Sequence, residues 1–120
     1  MAGTPDHPIT IAPAPFRVRV TFAGRVVADT KRALLLTETT YPPVAYIPRE
    51  DVDIGLLQRT AHATRCPYKG DASYYSIRVN GRVAENAIWS YEQPIPDVAE
   101  IAGLVAFYPK RVDSIEQLLA

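Results

Sequence analysis

Residues 77–83 read Ile-Arg-Val-Asn-Gly-Arg-Val, and this stretch decides the fold class. Strand-forming residues flank an Asn-Gly pair, which favours a two-residue type I′ turn because both of its residues tolerate positive φ. The stretch therefore predicts a tight antiparallel hairpin whose turn is Asn80-Gly81.

Short strand patterns recur along most of the chain, and helical patterns are few. In residues 16–22 apolar and polar residues alternate, as in a strand with one buried face. One helical turn is predicted within residues 94–102, and a short C-terminal helix over residues 114–120, capped by Asp113 or Ser114. We predict an all-β, mainly antiparallel fold, with further strands over residues 25–28, 33–36, 44–47, 87–91 and 104–108.

Two pairs of matching segments indicate an internal duplication. Val-Thr-Phe-Ala-Gly-Arg-Val at 20–26 aligns with the hairpin stretch at 77–83. Val-Ala-Tyr-Ile-Pro-Arg at 44–49 aligns in the same order with Val-Ala-Phe-Tyr-Pro-Lys at 105–110. The alternative is a chance similarity between two β-rich stretches. A true duplication predicts two small antiparallel sheets packed face to face about an approximate two-fold axis.

The domain boundaries follow from the prolines and from the duplication. Four of the eleven prolines lie within residues 1–15, which we predict to be an extended Pro-rich arm. A single β domain follows over residues 16–113, because a chain of 120 residues has the length of one domain. Its halves are 16–53 and 74–113, and residues 54–73 connect them.

Composition limits the classes of function. The 13 basic and 13 acidic side chains leave no basic excess for a phosphate backbone, so we expect no nucleic-acid partner. The longest apolar stretch, residues 101–108, is far shorter than the ~20 residues of a membrane helix, so we expect no membrane partner. One cysteine cannot form an internal disulfide, and no basic leader precedes an apolar run. These features predict a soluble, cytoplasmic protein.

Several short motifs of the chain are distinctive. The most specific is Cys-Pro-Tyr-Lys-Gly at 66–70, and it is accompanied by Tyr-Pro-Pro at 41–43, Trp-Ser-Tyr at 89–91 and Val-Ala-Phe-Tyr-Pro at 105–109. Together these motifs closely resemble the domain-of-unknown-function family 427. The similarity runs from about residue 16 to residue 112. It implies a compact all-β domain of the tent type, similar in topology to the Mss4-like zinc-binding folds.

The resemblance also bears on metals and cofactors. Related zinc-bearing tents hold their ion with two Cys-x-x-Cys motifs, whereas here Cys66 is followed by Lys69 where a second thiolate would lie. An ammonium repels a dication, so we expect a tent without structural zinc. We expect no cofactor.

The family is sometimes labelled nucleotidyltransferase-like, and the residues do not support that label. Such chemistry uses two or three carboxylates that hold Mg²⁺ beside a phosphate-binding Gly-Ser loop. The only candidate pair is Asp51 and Asp53, and the chain contains no Gly-Ser pair. We interpret both carboxylates as solvated turn residues.

Cys66 is the candidate nucleophile. Arg65, Lys69 and His62 lie within four residues of it, and a nearby cation or base activates a thiol. In this hypothesis Lys69 is the activating cation and His62 the base. The alternatives are a small buried cysteine and a solvent-facing histidine.

A ligand-binding cleft is the main functional hypothesis. Lys69 lies just before a strand, where its ammonium can point between the sheets toward an anion or toward a carboxylate such as Glu38. Arg49 ends the matching segment of the first half and offers a bidentate fork, or else it is a surface guanidinium. We predict that a small polar or anionic molecule binds in a cleft lined by Glu38, Arg49, Tyr68, Lys69, Trp89 and Tyr91.

Further interpretations stay open. Trp89 and Tyr91 share one face of a strand, whereas Tyr46 and Tyr74 are expected in the core. A transferase or hydrolase that uses Cys66 is the first alternative function. A protein-interaction module, or a homodimer formed through an exposed strand edge, is the second.

Overall fold

The computed structural model describes residues 2–119, which form eleven strands and three short 3₁₀ helices. The 3₁₀ helices are Arg49–Asp51, Ile54–Leu56 and Pro96–Ile101. The strands are β1 (Ala2–Thr4), β2 (His7–Pro13), β3 (Arg17–Phe22), β4 (Arg25–Thr30), β5 (Leu34–Glu38), β6 (Val44–Tyr46), β7 (Leu57–Cys66), β8 (Gly70–Val79), β9 (Arg82–Ser90), β10 (Val105–Phe107) and β11 (Ser114–Leu118).

The strands build three small sheets, and every paired strand is antiparallel to its neighbour. The first sheet has the order β1-β2-β5-β6, the second β11-β3-β4 and the third β10-β9-β8-β7. The predicted all-β, mainly antiparallel class is confirmed. The chain forms three sheets where two were expected, because the strands of the first half are divided between two sheets: β5 and β6 lie in one and β3 and β4 in the other. The terminal strands β1, β2 and β11 extend these two sheets.

The Asn-Gly hairpin forms as predicted between β8 and β9, with φ of 49° at Asn80 and 82° at Gly81. The matched stretch of the first half forms the β3–β4 hairpin, where Ala23 and Gly24 have φ of 52° and 76°. A type I′ turn needs positive φ at both central residues. Both matched stretches are therefore hairpins of the same kind, while the duplication itself stays a prediction.

The N-terminal segment is not the extended arm that its prolines suggested. It forms β1 and β2, and Ile9 of β2 is completely buried. Proline is tolerated near strand ends, where the missing N–H costs little, and Pro8 and Pro13 lie near the two ends of β2. The alternation of apolar and polar residues at Ile9, Thr10 and Ile11 indicates a strand, and here it outweighs the prolines.

The connection over residues 54–73 is also more regular than predicted. Most of it is the ten-residue strand β7 and the beginning of β8, which form a long hairpin. β7 is an edge strand with mostly exposed side chains, so its sequence shows no apolar alternation to reveal it. The predicted helical turn within residues 94–102 is present as the 3₁₀ helix Pro96–Ile101.

The prediction of a short C-terminal helix is wrong, since residues 114–118 form strand β11. This strand pairs with β3, and Ile115 lies opposite Val20. A helix of so few residues gains little stability on its own, whereas pairing satisfies the backbone groups at the edge of β3.

Two groups of buried side chains form the core. The larger is mainly aliphatic, with Val20, Ile77 and Val105 completely buried within it. The smaller contains three buried tyrosines, Tyr46, Tyr74 and Tyr91, together with Ile9 and other apolar residues. Among residues 2–119 there is no helix with the length and apolar character needed to cross a membrane.

Candidate functional site

A cavity of about 290 Å³ opens between the first and third sheets, beside the tyrosine-rich part of the core. Its charged lining residues are Glu38 and Lys69. Six aromatic rings form most of its wall, and we call it the tyrosine cavity: Tyr41, Tyr46, Tyr74, Trp89, Tyr91 and Tyr108.

Lys69 is fixed by the tight turn between β7 and β8. Its backbone N–H donates to the Cys66 carbonyl at 3.2 Å, and its own carbonyl accepts from the Ile95 N–H at 3.0 Å. Gly70 follows with φ of 116°, and a Cβ there would lie 3.4 Å from the backbone of Pro94 and Ile95. The Lys-Gly pair of the sequence motif thus lets the turn pack closely against the last long loop.

The Lys69 ammonium forms an ion pair with the Glu38 carboxylate at the end of β5. Only 8% of Lys69 is exposed. The Glu38 bond is the one side-chain hydrogen bond of this ammonium within residues 2–119. An ammonium has three N–H donors, so two are left for a ligand or for water. The Tyr91 ring centroid lies 5.9 Å away, within cation–π range.

His7 completes the charged cluster from strand β2. Its Nε2 lies 2.6 Å from Glu38 Oε2, and its ring stacks on Tyr68 with a centroid distance of 3.7 Å. Burial raises the pKa of the Glu38 carboxyl, but the hydrogen bonds and charges of Lys69 and His7 outweigh this and leave that pKa below its ordinary value. Glu38 is therefore a carboxylate at neutral pH, with both oxygens engaged.

The aromatic wall is held by hydrogen bonds and ring contacts. Trp89 Nε1–H donates to the Tyr46 hydroxyl at 3.1 Å, and the Trp89 ring lies 4.4 Å from the Tyr108 ring. Burial raises the pKa of the Tyr46 and Tyr91 hydroxyls. Burial and the hydrogen bond with Tyr74 raise the pKa of Tyr108 to about 12. These phenols are neutral hydrogen-bonding groups at physiological pH.

The structure brings four of the six predicted ligand residues to this cavity, namely Glu38, Lys69, Trp89 and Tyr91. Tyr68 is not among the lining residues, and its ring stacks on His7. Tyr46 and Tyr74 are buried, as predicted for core residues, and they also line the cavity.

Arg49 is not among the residues that line the tyrosine cavity, and it has its own hydrogen-bond network. Its Nε–H donates to the Gly103 carbonyl at 2.6 Å, and its terminal nitrogens lie 3.2 to 3.3 Å from Tyr75, Ser90 and Glu92. These contacts connect the first 3₁₀ helix to the end of β9 and the following loop. These hydrogen bonds give Arg49 a structural role.

Cys66 and His62 form no hydrogen bond with each other among the described residues, and their roles as nucleophile and base stay a prediction. Both lie on the extended strand β7, where four residues span roughly 13 Å. The His62 ring instead packs against Tyr74, with centroids 4.4 Å apart. The Lys69 ammonium is directed to Glu38.

The two aspartates of the Asp-Val-Asp segment have separate partners. Asp51 accepts from Thr30 Oγ1 at 2.7 Å and from Arg32 at 3.3 Å, whereas Asp53 pairs with Arg25 at 2.9 Å. The Thr30 hydrogen bond and the Arg32 guanidinium outweigh burial and lower the pKa of Asp51. Within residues 2–119, no three His, Cys, Asp or Glu side chains are grouped closely enough to hold a metal ion.

Sequence reasoning missed three residues of this site. His7 was assigned to the arm, although the alternation of the following residues indicates a strand that carries it into the first sheet. Tyr41 and Tyr108 each lie next to a proline, at positions treated as strand boundaries. Both line the cavity and are its more exposed rings, at 62% and 36%.

The fold and the cavity define an antiparallel β domain built from three small sheets. The family model for the domain of unknown function DUF427 matches residues 10–118, and the chain belongs to that family. The match includes most of β2 and all of β11, the two segments that sequence patterns left outside the β domain. A comparison with curated proteins gives no match.

Proposed function

We propose that this domain binds a small polar or anionic molecule in the tyrosine cavity, with Lys69 as its charged contact. One observation carries the proposal. A nearly buried ammonium with a single carboxylate partner lines a space of about 290 Å³.

The energetics of burial support this assignment. A charged group leaves water at a large cost unless it is paired and hydrogen-bonded. Lys69 is paired with Glu38, yet it retains donor capacity toward an open volume. A few convergent polar groups among apolar and aromatic walls are typical of small-molecule pockets.

The volume limits the size of the ligand. Small-molecule pockets run from ~300 Å³ upward, so this cavity lies at the lower end of that range. A carboxylate or phosphate group fits the free donors of Lys69, and the aromatic rings offer faces to stack on and hydroxyls to bond.

The test measures binding of four probes, which are acetate, succinate, benzoate and inorganic phosphate, by calorimetric titration. The variants are Lys69→Met, Tyr41→Ala and, as a matched control, Lys110→Met at an exposed site. Loss of a charge-assisted hydrogen bond is expected to weaken binding by about tenfold or more in Lys69→Met. Lys110→Met is expected to bind like the wild type.

Tyr41→Ala keeps the test valid if Lys69→Met fails to fold. Tyr41 is 62% exposed, so its removal leaves the core intact, but it takes away part of the cavity wall. The proposal would be contradicted if both Tyr41→Ala and Lys69→Met bound the probes as strongly as the wild type. It would also be contradicted if the wild type bound none of the four probes.

A further inference from the structure

A second cavity lies beside the tyrosine cavity, where the three sheets meet. It measures about 250 Å³, and we call it the apolar cavity. Its lining contains no charged side chain from the described residues, and Gln117 is its one polar member apart from the Trp89 indole. Representative apolar members are Phe16, Val18, Ala45 and Phe107.

The two cavities share a wall. Val44 and Trp89 line both of them. In two segments, neighbouring residues line different cavities. Pro42 and Tyr108 line the tyrosine cavity, whereas the residues that follow them, Pro43 and Pro109, line the apolar cavity. The boundary therefore runs between the start of β6 and the end of β10.

The strands at this boundary are joined at one end only. Ile47, just after β6, and Val105 of β10 exchange backbone hydrogen bonds of 2.8 and 2.9 Å. Toward Val44 and Tyr108, no backbone bond joins the two segments among the described residues, and the Tyr108 N–H donates to Ala87 instead. The segments are thus unpaired next to the shared wall.

We propose that the ligand of the tyrosine cavity is amphiphilic, with an unbranched apolar arm that crosses the shared wall into the apolar cavity. This inference rests on the proposed function, because the polar end of the same molecule binds at Lys69. The molecule is a short-chain carboxylate or alkyl phosphate.

Three observations favour this occupant. The apolar cavity lies directly next to a site with a free cationic donor. Its uncharged lining suits hydrocarbon, whose transfer from water is favourable in proportion to the buried area. Its volume of about 250 Å³ fits one short hydrocarbon chain.

The experiment titrates two series of probes into the full chain. These are unbranched carboxylates from acetate to octanoate and the matching alkyl phosphates. Trp89 is the only tryptophan of the sequence and lies in the shared wall, so its fluorescence reports on the crossing point. Each added methylene is expected to tighten binding by about fourfold until the cavity is filled, and the longer chains are expected to shift the Trp89 emission to the blue.

Two variants close the apolar cavity without touching the tyrosine cavity. Ala45→Phe fills it from β6, and Gln117→Phe, at an exposed position of β11, covers it if the first variant does not fold. Both are expected to remove the chain-length dependence and to leave acetate binding within twofold of the wild type. Ala63→Phe, at an exposed position of β7 outside both cavities, is the control and is expected to retain the full dependence.

The outcomes separate the two proposals. Binding that depends on Lys69 and Tyr41 but not on chain length, or chain-length dependence that survives both cavity-closing variants, overturns the amphiphilic ligand alone. Binding of long chains that is unaffected by Lys69→Met and Tyr41→Ala, or no binding of any probe, overturns both proposals.

Discussion

Lys69 lies in the turn between β7 and β8, and Arg49 begins the first 3₁₀ helix. Both cations are at least partly buried, and the fold uses them in opposite ways. The Arg49 guanidinium donates to a backbone carbonyl, two hydroxyls and the Glu92 carboxylate. The Lys69 ammonium donates to Glu38 alone among the described side chains and lines an open volume. A cation with most of its donors engaged by the protein connects parts of the fold, whereas one with spare donors beside a cavity is available to a ligand.

The largest effect is expected from breaking the Lys69 pair. Lys69→Met leaves the Glu38 carboxylate largely buried, with only 17% of its side chain exposed and without its main partner. We expect the free energy of unfolding to fall by about 3 kcal/mol, measured by urea denaturation. The double variant Lys69→Met with Glu38→Gln is expected to recover much of this loss, because its amide carries no charge. A loss no greater than that of Lys110→Met would show that the pair contributes little.

Arg49→Ala tests the other side of the comparison. Its loss leaves the Gly103 carbonyl without this donor and removes one donor of Glu92, which keeps Tyr75 and Arg59. We expect a decrease of about 2 kcal/mol in the free energy of unfolding. Probe binding in the tyrosine cavity is expected to stay within twofold of the wild type. Weakened binding with unchanged stability would make Arg49 a ligand residue after all.

The pH dependence of stability separates the two carboxylates. Burial raises the pKa of Glu38, but its bonds with Lys69 and His7 lower it further, so the folded-state pKa lies below the ordinary 4.5. The unfolded chain then binds more protons below that pH, and the stabilisation present above pH 4.5 is lost as the pH falls through the folded-state pKa.

Glu38→Gln is therefore expected to flatten the acid limb of the stability curve, measured by urea denaturation between pH 3 and 6. Burial likewise raises the pKa of Glu92, but the neighbouring hydrogen bonds and arginines outweigh burial and leave this pKa below its ordinary value. Its side chain is 33% exposed against 17% for Glu38, so Glu92→Gln is expected to flatten the curve less. The reverse order would mean that Glu92, which pairs with both Arg59 and Arg49, forms the stronger ion pairs.

Tyr41→Ala is expected to have the smallest effect on stability. The ring is 62% exposed, and we expect a change within about 0.5 kcal/mol in the free energy of unfolding. A loss above 2 kcal/mol would show that Tyr41 holds the loop between β5 and β6 in place, and that its effect on binding is indirect.

The sequence predicts most of the second half of this fold, because its signals are local. The Asn-Gly turn sets the β8–β9 hairpin through backbone conformation alone. Strands β2 and β11 were missed because they pair with strands distant in sequence. Ile115, for example, pairs with Val20 across 94 intervening residues. Strand β7 has a local partner, β8, and was missed because its mostly exposed side chains show no apolar alternation.

Individual residues of the candidate site were predictable from the sequence, but their partners and relative positions were less so. The Cys-Pro-Tyr-Lys-Gly motif indicated Lys69, and Glu38 was a reasonable partner for it. The difference between Lys69 and Arg49 depends on how many acceptors surround each cation, which only the tertiary structure shows. The place of His7 depended likewise on the pairing of β2 with β5.

The pairing of β2 with β5 has a practical consequence for shortened forms of the protein. A chain trimmed to begin at residue 16, where the sequence patterns place the domain, loses the neighbour that covers one edge of β5. Backbone groups of successive strand residues point to opposite sides, so alternate residues of the five in β5 would then present unpaired N–H and C=O groups to solvent. Such an edge is a template for strands of other molecules, so the trimmed chain is expected to self-associate and to precipitate where the full chain does not.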